Sequence, residues 1–143
     1  MKITEILRNK GADVTTIAPD ITVRELITLL ADHNIGAVVV SSDGSAVEGI
    51  VSERDVVRRL RSGAEMLDAA VSDIMTSDVQ TVSPTVTVHE LSKLMTERRI
   101  RHVPVLVDGR LSGLVSIGDV VKSRIGELEF EREQLEHYIV TSR

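Results

Sequence analysis

The chain has 143 residues, 42% of them hydrophobic but only 1% aromatic, and a formal net charge of −5. That is enough apolar material for one ordinary domain or two mutually dependent halves, with a core of Val, Ile and Leu. The acidic balance, with Phe130 and Tyr138 as the only aromatic residues, argues against a nucleic-acid partner. The absence of cysteine excludes disulfides, thiolate nucleophiles and cysteine-based metal sites. No apolar run approaches the roughly 20 residues of a membrane span. Glu5, Arg8 and Lys10 interrupt any signal-peptide pattern, so a cytoplasmic protein is expected.

In chain order, residues 1–13 predict an amphipathic N-terminal helix over Met1–Lys10, with Ile3, Ile6 and Leu7 on one side and Gly11 ending it. Val14–Ile17 reads as a short strand. Thr22 is a fair N-cap for a helix over Val23–His33, in which Val23, Leu26, Ile27 and Leu30 share a face; Asn34 and Gly36 break it. Ala37–Val40 is a continuous apolar run, the mark of a strand buried on both faces. A turn at Asp43-Gly44 leads to a returning strand over Val47–Val51. A helix opened by Ser52 then runs to Leu60 and closes at Ser62-Gly63.

The pattern then repeats. Pro19, Ile35 and Asp43-Gly44 recur 65 positions later as Pro84, Ile100 and Asp108-Gly109. Gly49 and Asp55 recur 64 positions later as Gly113 and Asp119. One residue is lost in the second hairpin loop, where length changes cheaply. The chain is thus a tandem duplication, expected as repeat 1 over 14–63, a linking helix over 64–77 and repeat 2 over 78–125. Two copies are too few for a solenoid and each is small for independent folding, so they should pair through their sheets about a pseudo-twofold axis. A helical extension over 126–143 follows. Val121, Ile125, Leu128, Leu135 and Ile139 lie on one stripe interrupted by Arg132, and Gly126 offers a kink or stop. This helix either packs on its own domain or docks a second subunit.

The matched segments GIVSERDVV (49–57) and GLVSIGDVV (113–121) each end a strand and open a helix. Ser52 or Ser116 at the N-cap, with Asp55 or Asp119 three residues on, is a common capping device. The same junction is also a ready anion site, because unpaired N–H groups and the positive end of the helix dipole meet there. A carboxylate beside it can accept two hydrogen bonds from a ribose cis-diol. Arg54 stands inside the first turn, as a cation able to meet a phosphate. Gly118 leaves bare backbone in the second, with Arg101 and His102 nearby in sequence. Arg98 and Arg99 read as solvated charges. His33, His89, His102 and His137 show no metal-binding spacing, so no metal is expected.

These features together resemble tandem CBS domains, in a stand-alone CBS pair or Bateman module. The resemblance rests on Thr16 and Thr81, the 35–40 and 100–106 segments, the Asp-Gly hairpins, the two Gly…Ser-x-x-Asp endings and the DIMT link at 73–76. It covers about residues 10–125. It implies an α/β (α+β) fold of two β-α-β-β-α units packed sheet to sheet. Two clefts are implied for adenosyl ligands (AMP, ATP, NAD(H), less readily S-adenosylmethionine), and a flat homodimer of two pairs. Carried onto this sequence, the ribose-binding carboxylates are Asp55 and Asp119 and the hydroxyls of the same turns Ser52 and Ser116. The base-contacting strand starts are Thr16, Ile17 and Ala18, and Thr81, Val82 and Ser83. The adenine walls are Gly36, Ala37 and Val39, and Arg101, His102, Val103 and Pro104. Val39 departs from the proline usual at that place.

Catalysis finds little support, since no P-loop, G-x-G-x-x-G, H-E-x-x-H or nucleophile elbow is present. The expected function is a regulatory module sensing adenine nucleotides. The alternative is a ligand-free structural or regulatory subunit acting on a protein partner through its C-terminal helix.

Overall fold

The computed structural model describes residues 1–11 and 13–141. Helix α1 (Ile3–Lys10) leads to β1 (Thr16–Ile17), α2 (Val23–His33), β2 (Ala37–Val40), β3 (Gly49–Ser52) and α3 (Glu53–Leu60). The second copy supplies α4 (Val88–Arg98), β4 (His102–Val107), β5 (Arg110–Ser116) and α5 (Ile117–Thr141). In the first copy β2 is central, parallel to β1 and antiparallel to β3. In the second copy β4 and β5 form an antiparallel pair, and the first strand shrinks to a single parallel bridge between Val82 and Val105. Pro104 accounts for the difference. It has no N–H to donate toward the incoming chain, so pairing there is limited to Val82 N donating to Pro104 O and Leu106 N donating to Val82 O.

Local chemistry sets the boundaries. Thr22 and Thr87 cap α2 and α4 by accepting from the N–H of Glu25 and Glu90. Asn34 and Arg99 end these helices at φ 51 and 55, the left-handed C-terminal cap. The second hairpin turns through Asp108 and Gly109, both at positive φ, as a two-residue turn with matching twist requires. The first uses a longer loop held by Asp43, whose Oδ1 accepts from the N–H of Ser45 and Ala46.

The structure differs from the sequence expectations at several places. Helix α1 starts at Ile3 rather than Met1, and the strand expected over Val47–Val51 runs over Gly49–Ser52. The 64–77 segment is not one helix but two 3-10 turns, Ala64–Asp68 and Val71–Asp73, joined by extended backbone at Ala69 and Ala70. The first strand starts at Thr16 rather than Val14. Gly126 neither kinks nor stops α5, which runs 25 residues; one helical glycine costs only about 1 kcal/mol.

Two aliphatic cores result, one under α2 and α3 and one under α4 and α5. Each is completed by the segment that precedes the other repeat. Ile3 and Ile6 of α1 enter the second core, and Val71 and Ile74 of the linking segment enter the first. The backbone bonds match pairwise. Thr4 N, Ile3 N and Val88 N donate to Pro84 O, Val86 O and Met1 O; Ser72 N, Val71 N and Val23 N donate to Pro19 O, Ile21 O and Ala69 O. Val38 and Val40 face the first core, while Ala37 and Val39, also buried, lie on the opposite face of β2 toward the second half.

Both exchanged segments press on a glycine. A Cβ at Gly49 would lie 2.9 Å from the Thr76 carbonyl and 2.5 Å from Met75 Sδ, whereas one at Gly113 would meet only the Leu7 side chain, at 2.5 Å. Thr76 is held, since it exchanges backbone bonds with Ile50. Gly49→Ala is therefore expected to lower unfolding stability by about 1–3 kcal/mol, as overpacking against fixed atoms does. Gly113→Ala should cost clearly less, because Leu7 can rotate. Urea midpoints of the two variants test this, and equal losses would refute the backbone explanation.

Candidate functional site

Both Ser-x-x-Asp junctions form the expected capping boxes. Ser52 N donates to Asp55 Oδ2 at 2.8 Å, and Ser52 Oγ accepts from Asp55 N at 3.4 Å. Ser116 N donates to Asp119 Oδ2 at 2.8 Å, and Ser116 Oγ accepts from Asp119 N at 3.1 Å. Ser52 Oγ also donates to Asp55 Oδ2 at 3.0 Å. The cap thus occupies one carboxylate oxygen and leaves Oδ1 of Asp55 without a hydrogen-bond partner among the described residues.

Around Asp55 lies a cleft of about 230 Å³. Of the residues singled out in the sequence, Gly36, Ala37, Ser52, Arg54, Asp55, Arg101 and His102 line it. The rest of its wall is Ile50, Glu53 and Arg58 beside the junction, Thr76, Asp78, Val79 and Gln80 from the linking segment, and Arg99 and Ile100 from the second repeat. The α4 C-cap therefore brings Arg99–His102 across from the other half. Among the described residues, none of the four guanidiniums at Arg54, Arg58, Arg99 and Arg101 is paired with a carboxylate. Unpaired cations facing one concavity, next to a helix N-terminus, make an anion-receptive surface.

The second junction is chemically different. Lys10 Nζ donates to Asp119 Oδ2 and to the Leu114 carbonyl, each at 2.7 Å. Burial alone would raise the Asp119 pKa, but the hydrogen bond from Lys10, the Ser116 N–H and the Lys10 charge outweigh it and hold the carboxyl below its ordinary value. Asp119 also edges an open groove of about 800 Å³ between α1 and α5. The exchanged segments explain the asymmetry. At equivalent strand positions the Ile50 carbonyl accepts from the Thr76 backbone N–H, whereas the Leu114 carbonyl accepts from Lys10 Nζ, so only the second junction receives a lysine from its crossing segment.

The other residues singled out do not line the first cleft. Ile17 and Val103 are core members and Val82 packs on the core, so their side chains face away from the cleft. Val39 and Pro104 are buried within their sheets. Ser83 Oγ pairs with Thr85 Oγ1 at 2.8 Å. Thr16, Ala18, Thr81, Ser116 and Gly118 retain partial or full exposure but stand outside the first cleft. Thr76 closes the DIMT link, whereas Asp78, Val79 and Gln80 carried no motif of their own; their only signal was their place after DIMT.

His102, half-buried in β4, lies between the two junctions. Burial and the Lys10 charge lower its pKa, Asp119 and Glu53 oppose this, and Arg101 adds to the lowering. The unfolded imidazole binds a proton near its ordinary pKa of about 6.5 while the folded one resists it. The stability held by neutral His102 is thus fully present above that value and is lost as pH falls through the lower folded value. His102→Gln should flatten the stability curve between about pH 5 and 7. Thermal unfolding of both proteins across that range is the check, and parallel curves would contradict the assignment.

Comparison with known proteins agrees with this architecture. The CBS domain family model matches residues 3–62 and again 71–126. The mitochondrial CBS domain-containing protein CBSX3 of Arabidopsis thaliana is 38% identical over 96% of this chain and 71% of its own. The crystal structure of the CBS-domain protein ATU1752 from Agrobacterium tumefaciens is 44% identical, with a TM-score of 0.83 over 87% of this chain and 99% of that one. The CBS domain pair of protein MJ0100, in complex with 5′-methylthioadenosine and S-adenosyl-L-methionine, shares the fold at 24% identity and a TM-score of 0.76, over 85% of this chain and 98% of that one. Among the described residues no helix is long and apolar enough to cross a membrane. With two matched copies, exchanged segments and paired sheets, the chain belongs to the CBS domain family and carries the domain twice in tandem.

Proposed function

We propose that this chain is a regulatory module that binds an adenine nucleotide (AMP, ATP or NAD(H)) in the first cleft. The observation that carries the reading is the unshared Asp55 Oδ1 beside four unpaired guanidiniums. The carboxylate would accept the ribose hydroxyls, and Arg54 and Arg101, on opposite halves, would take the phosphates as charge-assisted pairs. The adenine would lie against Ala37, Ile50 and Ile100, since the cleft lining includes no Phe, Tyr or Trp. The MJ0100 pair, bound to two adenosyl compounds, supports the ligand class. The guanidiniums favour phosphate over the cationic sulfonium of S-adenosylmethionine.

Because the cleft wall comes from both repeats and the segment between them, a bound nucleotide favours the arrangement of halves that it fits best, which is how it would signal. The second junction, closed by Lys10, is not a primary site in this reading. A second copy is the expected partner. Val57 and Val121, equivalent positions on α3 and α5, are both exposed and offer apolar surface for a homodimer of pairs.

Asp55→Ala should weaken ATP and AMP binding at least tenfold by calorimetry, since hydrogen bonds to a charged group are worth about 1.5–3 kcal/mol. Asp119→Ala should leave it nearly unchanged. Intact binding in Asp55→Ala would overturn the reading. Lys10→Met, which frees Asp119, is expected to raise the nucleotide stoichiometry from one toward two per chain; an unchanged stoichiometry would contradict closure of the second site by this contact.

A further inference from the structure

Helix α5 outlasts the fold it belongs to. Only Val120 among its residues is buried, and Ser123 and Glu127 face α1 along the groove. On another face Val121, Ile125, Leu128, Leu135 and Ile139 are 48–62% exposed. Their spacing alternates four and three once Arg132 is included in the row. That is a heptad seam rather than a broad amphipathic face. Ile125, Arg132 and Ile139 take the a positions, and Val121, Leu128 and Leu135 the d positions.

We propose that the α5 helices of two copies of this chain pair side by side, in parallel and in register, as a short two-stranded coiled coil. Isoleucine at a with leucine at d favours two parallel strands, and a single polar a residue fixes register. The flanking charges agree. A parallel pair sets Arg124 of one helix against Glu129 of the other, and each Arg132 beside Glu131 of the second copy. The like-charged neighbours Glu131 and Glu136 have Arg132 between them, which already bonds Glu136 at 3.1 Å along its own helix. An antiparallel pair with the same six layers filled would set Glu129 against Glu129 and Glu131 against Glu131. The seam spans fewer than three heptads, so this pairing adds to other contacts between copies. It does not depend on nucleotide binding.

The natural chain has no cysteine, so single cysteines placed in the full-length protein report the pairing directly. Leu135 is 61% exposed and can be replaced without disturbing the core, which circular dichroism verifies. Under mild oxidation Leu135→Cys should form an interchain disulfide roughly tenfold faster than His137→Cys on the outer face, because residue 135 faces its own copy across the seam while residue 137 points away from it. Adding Arg132→Glu should remove most of that advantage. Equal rates for Leu135→Cys and His137→Cys would overturn the proposal. So would cross-linking that appears only between mixed Ile125→Cys and Leu135→Cys chains, the antiparallel signature. An unchanged rate with Arg132→Glu would overturn the register role of Arg132.

Discussion

The structure depends on an exchange. Each repeat is roofed by the stretch that precedes the other one, with Ile3 and Ile6 in the second core and Val71 and Ile74 in the first. A half-sized unit with an open core would be marginal, because small units bury too little surface to offset chain entropy comfortably. The exchange therefore makes one folding unit of two similar ones. It also sets the angle between them, because each crossing segment is bonded to the opposite repeat through backbone groups. The glycines at 49 and 113 are the points where that crossing runs closest to a strand.

The functional surface follows from the same arrangement. The linking segment leaves its host core at Thr76 and runs along the cleft to Gln80, so a connector becomes a wall of the site. The N-terminal segment ends on Lys10, whose ammonium is bonded to Asp119. Two junctions with the same turn and the same cap thus acquire different settings: the Asp119 carboxylate is tied to Lys10, while Asp55 faces a cleft lined by unpaired guanidiniums. The Lys10–Asp119 pair is 40% and 23% exposed, and partly exposed ion pairs contribute only about 0.2–1 kcal/mol. It is strong enough to hold the carboxylate ionised and weak enough to be competed away.

Much of the architecture was legible beforehand. Helix α2 falls on Val23–His33 and strand β2 on Ala37–Val40 as the pattern predicted, because period, capping threonine and apolar run are local signals. The duplication was legible because matched residues persist at a steady lag. What escaped was non-local. No sequence rule tells which repeat a flanking helix will cover, so the Lys10 contact was invisible. Asp78, Val79, Gln80 and Arg99 lacked motifs, and they reach the cleft only because the two halves face each other. The resemblance assigns Ile17, Val82 and Val103 to strand segments at the site, and strand alternation turns their side chains into the cores.

The exchanged segments also bear on descent. A forerunner with one leading helix and one repeat would have owned a lid that fits a neighbour's core better than its own. Such a polypeptide closes its interior by trading lids with a twin, and joining two such genes end to end keeps every contact while abolishing the dependence on concentration. Once fused, the two lids were free to diverge. The two are no longer alike: one runs beside an open crevice and the other lays a lysine on a carboxylate, an open crevice and a guarded one within a single molecule.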